Sequence, residues 1–207
     1  ALKEGGFGGC VYLTTSRGGL TTIATARRFA IRLFESGPAL SDKILRWARF
    51  ADWLTGTTEG PPALPLPADT LPEPAHFDRP TVLIQAFSAV TRKQWPAERY
   101  AALLDRLPEG TDVRFLGAPG ELEANPGFSA LVERDNVTFD ISTFRDLVPL
   151  LRGAALVISA DTAVMHLAAA VGARTLCIAS AAYVGEIVPY APEVMPANLK
   201  VLHQPMD

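Results

Sequence analysis

A short apolar run that ends on an acid, followed at once by a helix of small residues, leaves a chain few ways to fold. Here the run is Ala155-Leu156-Val157-Ile158, the acid is Asp161, and the small-residue stretch runs from Ala163 to Val171. The run reads as a buried parallel strand, because it is apolar throughout rather than alternating. Asp161 and Thr162 fall at the strand-to-helix junction, where open α/β sheets hold ligands beyond the carboxyl ends of their strands. A helix start also offers unpaired N–H groups and the positive end of the helix dipole, which suit a phosphate.

The helix is readable residue by residue. Asp161 is placed to cap it, by accepting from N–H groups two or three residues on. Val164, Leu167, Ala168 and Val171 recur at i, i+3, i+4 and i+7 and are expected to face the core. Thr162 and His166 lie four apart on another face. Gly172 is expected to close the helix. A structural cap and a satisfied helical histidine remain the plain alternatives for Asp161 and His166.

The same alternation extends on both sides. Thr81–Gln85, Asp112–Leu116, Val137–Phe139 and Arg174–Ala179 read as strands. Pro96 opens a helix with Tyr100, Leu103, Leu104 and Leu107 on one side, and Phe144–Leu151 forms another. Strands alternating with helices imply an α/β fold, a Rossmann-like, doubly wound parallel sheet covered on both faces. Ahead of it, residues 59–80 carry prolines at 61, 62, 65, 67, 72, 74 and 80. Such a stretch suits an extended connector, not a helix or a central strand.

The chain therefore divides into a unit at 1–58, a linker at 59–80 and a domain at 81–207. The first unit is too short to complete a domain of the same class. It holds a strand at Cys10–Thr14 and helical spacing at Phe29 and Leu33, and again at Ile44, Trp47, Ala48 and Ala51. Gly5-Gly6-Phe7-Gly8-Gly9 precedes its strand, so it reads as an entry segment and not as a phosphate loop. The sequence does not open on methionine and is read as a fragment.

Composition excludes several classes. A net charge of −3 argues against nucleic-acid binding. Cys10 and Cys177 are far apart and outside any metal-ligand spacing, so no metal is expected, and Cys177 lies in an apolar run as a buried thiol. Free thiols favour a reducing, cytoplasmic location. Asp161 and His166 interrupt the longest apolar stretch, so no membrane span is expected. Arg27, Arg28, Arg32, Arg46 and Arg49 read as a solvated face or an anionic acceptor contact, and leave room for peripheral contact with the inner face of a membrane.

Taken in order, the loop Lys93-Gln94-Trp95-Pro96, the turn Gly117-Ala118-Pro119-Gly120-Glu121, the block from Asp161 through His166 to Ala170, and Pro189-Tyr190 form a series. It resembles the C-terminal domain of glycosyltransferase family 9, the ADP-heptose:lipopolysaccharide heptosyltransferase-like enzymes, from about Thr81 to the end. The resemblance implies a two-domain GT-B fold whose C-terminal half binds the nucleotide-sugar donor. It implies inverting transfer of a sugar, heptose by family expectation, from a nucleoside diphosphate to a hydroxyl of a glycan or lipid-linked acceptor. No resident cofactor is implied; the nucleotide sugar, ADP-heptose in the family, is the substrate.

By the same resemblance, Lys93 corresponds to a lysine that contacts phosphate and Asp161 to an aspartate near the donor sugar. Thr162 and Ala163 would offer N–H groups and a hydroxyl to the diphosphate, and His166 matches the family histidine. Glu121 stands where a carboxylate could accept from ribose hydroxyls. An exposed loop lysine and a solvated helix-start acid are the alternatives for Lys93 and Glu121. The chain departs from the pattern at Ala86-Phe87-Ser88-Ala89, where the family has a Pro-Gly-Ala-Ser type turn, at Ala163 for a glycine, and at Glu186 in place of a basic residue. Side chains in place of close-approach glycines are expected to narrow the mouth. The family's base, an aspartate in a Gly-Asp motif, has no counterpart here, so the catalytic residue is unassigned. The other readings are a catalytically degenerate binding module and another GT-B enzyme such as an epimerase.

Overall fold

The computed structural model describes residues 12–14, 20–22, 40–61, 64–180 and 188–203, with backbone alone for 12–14, 20–22, 40–44 and 47. The Gly5–Gly9 segment, Cys10, Phe29, Leu33, the arginines at 27, 28 and 32, and the loop through Glu186 lie outside the described residues. Internal contacts group Ala1–Leu66 with Tyr183–Pro196, and Pro67–Ala182 with Ala197–Asp207.

In the first unit, β1 (Tyr12–Thr14) pairs antiparallel with β2 (Leu20–Thr22), Tyr12 opposite Thr22. Helix α1 spans Leu40–Thr55 and buries Ala48, Ala51 and Leu54 at helical spacing. Its end is held by side chains. Asp52 Oδ1 accepts from Thr57 Oγ1 and from the Glu59 N–H, and Oδ2 from the Gly60 N–H.

The second unit is built on six parallel strands in the order β5-β4-β3-β6-β7-β8. They are β3 (Thr81–Gln85), β4 (Asp112–Leu116), β5 (Val137–Asp140), β6 (Leu156–Ala160), β7 (Thr175–Ile178) and β8 (Leu199–Leu202). All five β3 residues are buried, as an apolar strand covered on both faces must be. Strand β8 has no counterpart in the sequence reading above.

Helices fill the crossovers: α2 (Ala97–Leu104), α3 (Glu121–Ala124), α4 (Ser129–Val132), α5 (Phe144–Gly153) and α6 (Ala163–Ala170). From β3 the chain steps outward through β4 to β5, then crosses back to lay β6 on the other side of β3 and continues to β7 and β8. The reversal between β3 and β6 is a topological switch point, and it opens a crevice at the strands' carboxyl ends.

Two cores lie against the sheet. One joins Tyr100, Phe87, Phe115 and Phe128 with Val82 and Ile84; the other joins Leu83, Val157, Leu147 and Leu151 with Val164, Ala168 and Val171. Val164, Ala168 and Val171 are thus core residues, with Leu167 packed beside them, as the helical period requires.

Candidate functional site

The crevice is shaped by three loops that leave β3, β4 and β5, and by the mouth of α6. It encloses a cavity of about 680 Å³ reached by Ser88, Glu121, Ile141, Asp161, Thr162 and Ala163 among others. That volume suits a nucleotide-sized ligand.

Asp161 is the centre of the site. It is 4% exposed, and its Oδ2 accepts from Lys93 Nζ at 2.7 Å; Nζ also reaches the Asp161 carbonyl at 3.3 Å. An aspartate this deep requires a charged partner, and the loop before α2 supplies it from 68 positions away in sequence. This differs from the expected helix cap. Thr162, extended at φ −137° and ψ 172°, is the N-cap residue of α6 and makes no side-chain capping bond. Its Oγ1 lies instead 3.2 Å from Ser159 Oγ. The carboxylate pairs with Lys93, and the first-turn N–H groups of α6, which no helix satisfies internally, stand at the cavity edge.

His166 stands one turn further along α6, with Nε2 3.7 Å from Asp161 Oδ1, beyond hydrogen-bond range. Burial lowers its pKa below the ordinary 6.5; the Asp161 charge opposes that and the Lys93 charge adds to it. The imidazole is therefore neutral at pH 7. Cys177, fully buried on β7, is pushed up to about 12, by burial first and then by Asp161, with Lys93 acting in the opposite sense. It is a thiol and no nucleophile at neutral pH.

The mouth of β4 depends on a glycine. A Cβ at Gly117 would meet the tip of the Phe139 ring at 2.5 Å and the Glu121 carboxylate at 3.0 Å, so any larger residue there would have to displace that ring or that carboxylate at the edge of the cavity. Gly120, at φ 82°, then turns the chain into α3, and Glu121 Oε2 reaches back to accept from the Ala118 N–H at 2.7 Å. The Phe87 side chain is 2% exposed and packs on Phe128 and Phe139, so its ring sits in the core at the back of the cavity. Ser88 is half-buried and Ala89 exposed at the rim. Gln94 Nε2 donates to the Ser88 carbonyl at 2.7 Å and ties this loop to the Lys93 loop.

The structure brings Glu121, Asp161, Thr162 and Ala163 to one cavity. Lys93 joins it through Asp161 and itself lines a second cavity, also about 680 Å³, with Trp95, Ser180 and His203. The sequence reading did not single out Ile141 and Phe144, each 57% exposed, which wall the first cavity beyond β5. Their signal was available as two large apolar residues within the polar run Asp140-Ile141-Ser142-Thr143-Phe144. Among the described residues, no group of His, Cys, Asp and Glu is arranged to hold a metal ion, and no helix is long and apolar enough to cross a membrane.

The family model for glycosyltransferase family 9 (heptosyltransferase) matches residues 62–205. The E. coli heptosyltransferase WaaC with ADP superposes with a TM-score of 0.60 at 22% identity, over 77% of this chain and 49% of that one. The same enzyme with ADP-2-deoxy-2-fluoro heptose gives 0.57 at 22% identity, over the same shares of each chain. The chain thus spans about half the length of these solved relatives, and the likeness shows a shared fold. No curated protein matches it.

Proposed function

The chain belongs to glycosyltransferase family 9, and from that premise we propose that its larger unit is the donor half of a sugar-transferring enzyme. The donor is a nucleoside-diphosphate sugar, ADP-heptose by family expectation, and the acceptor a hydroxyl of a glycan or lipid-linked saccharide. The observation that carries the reading is Asp161, a buried carboxylate held by Lys93 at the switch point of the sheet, beside the open start of α6.

Each part of such a donor has a suitable surface. Ile141 and Phe144 offer an apolar wall to the base, and the Glu121 carboxylate can accept from ribose hydroxyls. The N–H groups at Thr162 and Ala163 and the start of α6 suit the diphosphate. Lys93 lies close enough to Asp161 to exchange that bond for a phosphate oxygen, and a flexible point charge suits this move. Asp161, its charge then less compensated, faces the sugar hydroxyls. In the transfer, the acceptor oxygen forms a bond to the anomeric carbon from the side opposite the diphosphate, and the bond to the diphosphate oxygen breaks. Lys93 and the helix start stabilise the negative charge that develops on the departing group. The base that takes the acceptor proton is not assigned to any residue of this chain.

Thermal unfolding with ADP and with UDP at millimolar concentration tests the reading. A ligand present at about 100 times its Kd adds about 2.7 kcal/mol of stability. ADP is expected to raise Tm, and Lys93→Ala and Asp161→Ala to shrink the rise. No shift with either nucleotide would overturn the assignment. A shift without sugar transfer by the full-length protein would favour a binding module.

A further inference from the structure

The loop that leaves β3 is anchored at both ends by rings. Phe87 is buried with its ring 4.9 Å from that of Phe128, and Trp95 packs edge to face on Tyr100 at 5.2 Å. Between these anchors Ala89, Val90, Thr91 and Arg92 are exposed. Such a stretch has no apolar burial to fix its course, so its hydrogen bonds must offset the entropy of ordering it.

Those bonds form a closed ring. The Val90 N–H donates to Ser88 Oγ at 3.2 Å, the Lys93 N–H to the Val90 carbonyl at 2.9 Å, and the Gln94 N–H to the Thr91 carbonyl at 2.9 Å. Gln94 Nε2 then reaches back six positions in sequence to the Ser88 carbonyl at 2.7 Å and shuts the ring. Gln85 Nε2, at the end of β3, holds the neighbouring Phe87 carbonyl at 3.0 Å in a buried bond. Ser88 and Ala89 edge the first cavity, so the ring joins that rim to the residue that carries Lys93. The Lys93 ammonium meets Asp161 Oδ2 at 2.7 Å from the end of a flexible four-carbon stem, and its reach is set by the backbone that bears it.

We propose that Gln94 is a positioning residue for the donor site: by closing this ring it holds Lys93 where the ammonium can pass from Asp161 to a phosphate oxygen. This role rests on the donor reading above, and Gln94 acts through Lys93 without touching the ligand. Leucine at the position keeps the bulk and loses the donor, so the ring opens. Glutamate keeps the shape but sets a carboxylate against a carbonyl oxygen, and only its protonated form can donate there.

Hydrogen exchange and calorimetric titration with ADP, both on the whole chain, test this role. Without nucleotide, Gln94→Leu is expected to speed exchange at the Val90, Lys93 and Gln94 amides and to leave β3 and α2 unchanged, as a local opening does. Its ADP affinity should fall roughly two- to tenfold, the usual worth of one neutral hydrogen bond. Gln94→Glu should bind ADP weakly at about pH 8, where its carboxylate is ionised. Its affinity relative to wild type should then climb as pH falls through the carboxyl range, a recovery that Gln94→Leu does not show and a bulk-filling role would not produce. Exchange and affinity equal to wild type in Gln94→Leu, or a flat ratio across pH in Gln94→Glu, would overturn the role of Gln94 alone. Faster exchange in Gln94→Leu together with no ADP binding by wild type would overturn the donor reading and leave the ring standing.

Discussion

The two faces of the six-stranded sheet are packed by opposite means. On one, Tyr100, Phe115, Phe128 and Phe87 interlock, with Tyr100 and Phe115 edge to face at 5.9 Å, Phe115 and Phe128 edge to face at 5.7 Å, and Phe87 tilted on Phe128. On the other, α6 meets the strands through Val164, Ala168 and Val171, and its Ala169 and Ala170 are buried as well. Rings fill volume and hold helices at a distance, whereas alanines let a helix backbone come close. The aromatic face therefore fills its space with rings, and the alanine face sets where the start of α6 stands relative to β6. Packing on the first face tolerates a shift of the helix that the second face, with a ligand crevice at its mouth, does not.

The largest test of that division is Tyr100. Replacing it by alanine should cost about 3–5 kcal/mol, the usual loss for a buried ring, and leave the nucleotide-induced rise in Tm nearly intact. Among the described residues its hydroxyl meets no hydrogen-bond partner, and burial raises its pKa above the ordinary 10. The ring, not the oxygen, holds the core. Tyr100→Phe is accordingly expected to unfold at higher denaturant, by about 1 kcal/mol, because a buried unsatisfied group is removed. A loss of stability in Tyr100→Phe would show that the hydroxyl has a partner and that this face is more than ring packing.

The other face answers to volume. Ala168→Leu adds methylene groups where none has room, and should cost about 1–3 kcal/mol in urea unfolding. Its sharper effect falls on the site. Pushing α6 off the sheet moves Thr162 and Ala163 away from Asp161, so nucleotide affinity is expected to drop even where the fold survives. Affinity equal to wild type in a folded Ala168→Leu protein would break the comparison, by showing that the start of α6 is placed by its loop and not by its packing.

Much of this was legible in the chain, for identifiable reasons. The period of Val164, Leu167, Ala168 and Val171 named the buried side of α6, and the apolar runs at β3 and β6 named central strands, because local pattern and tertiary burial agree there. Asp161 was legible as a residue at a helix mouth and not in its bonding. A carboxylate can cap its own helix or pair with a distant cation, and sequence spacing does not contain Lys93's approach across 68 positions. Strand β8 escaped because four residues, Leu199–Leu202, interrupted by Lys200, make too short a pattern to stand out. Ile141 and Phe144 were visible as apolar residues in a polar run, but only the order of the strands turns them toward the crevice that Asp161 shares.

The smallest effect is also the most local. His166 belongs to the helix of the alanine face but not to its core, and its pKa lies below the ordinary 6.5 mainly because burial disfavours the charged ring. As pH falls through that value the unfolded chain takes up a proton before the folded one does, so stability is whole above it and declines from there toward the folded-state pKa. Unfolding free energies measured at about pH 8 and about pH 5.5 should therefore differ more for wild type than for His166→Gln, which has no such proton to bind. Equal pH dependence in the two proteins would mean that Asp161 cancels burial at this ring, and a smaller dependence in wild type than in His166→Gln that Asp161 outweighs it and His166 carries charge near neutrality beside Lys93.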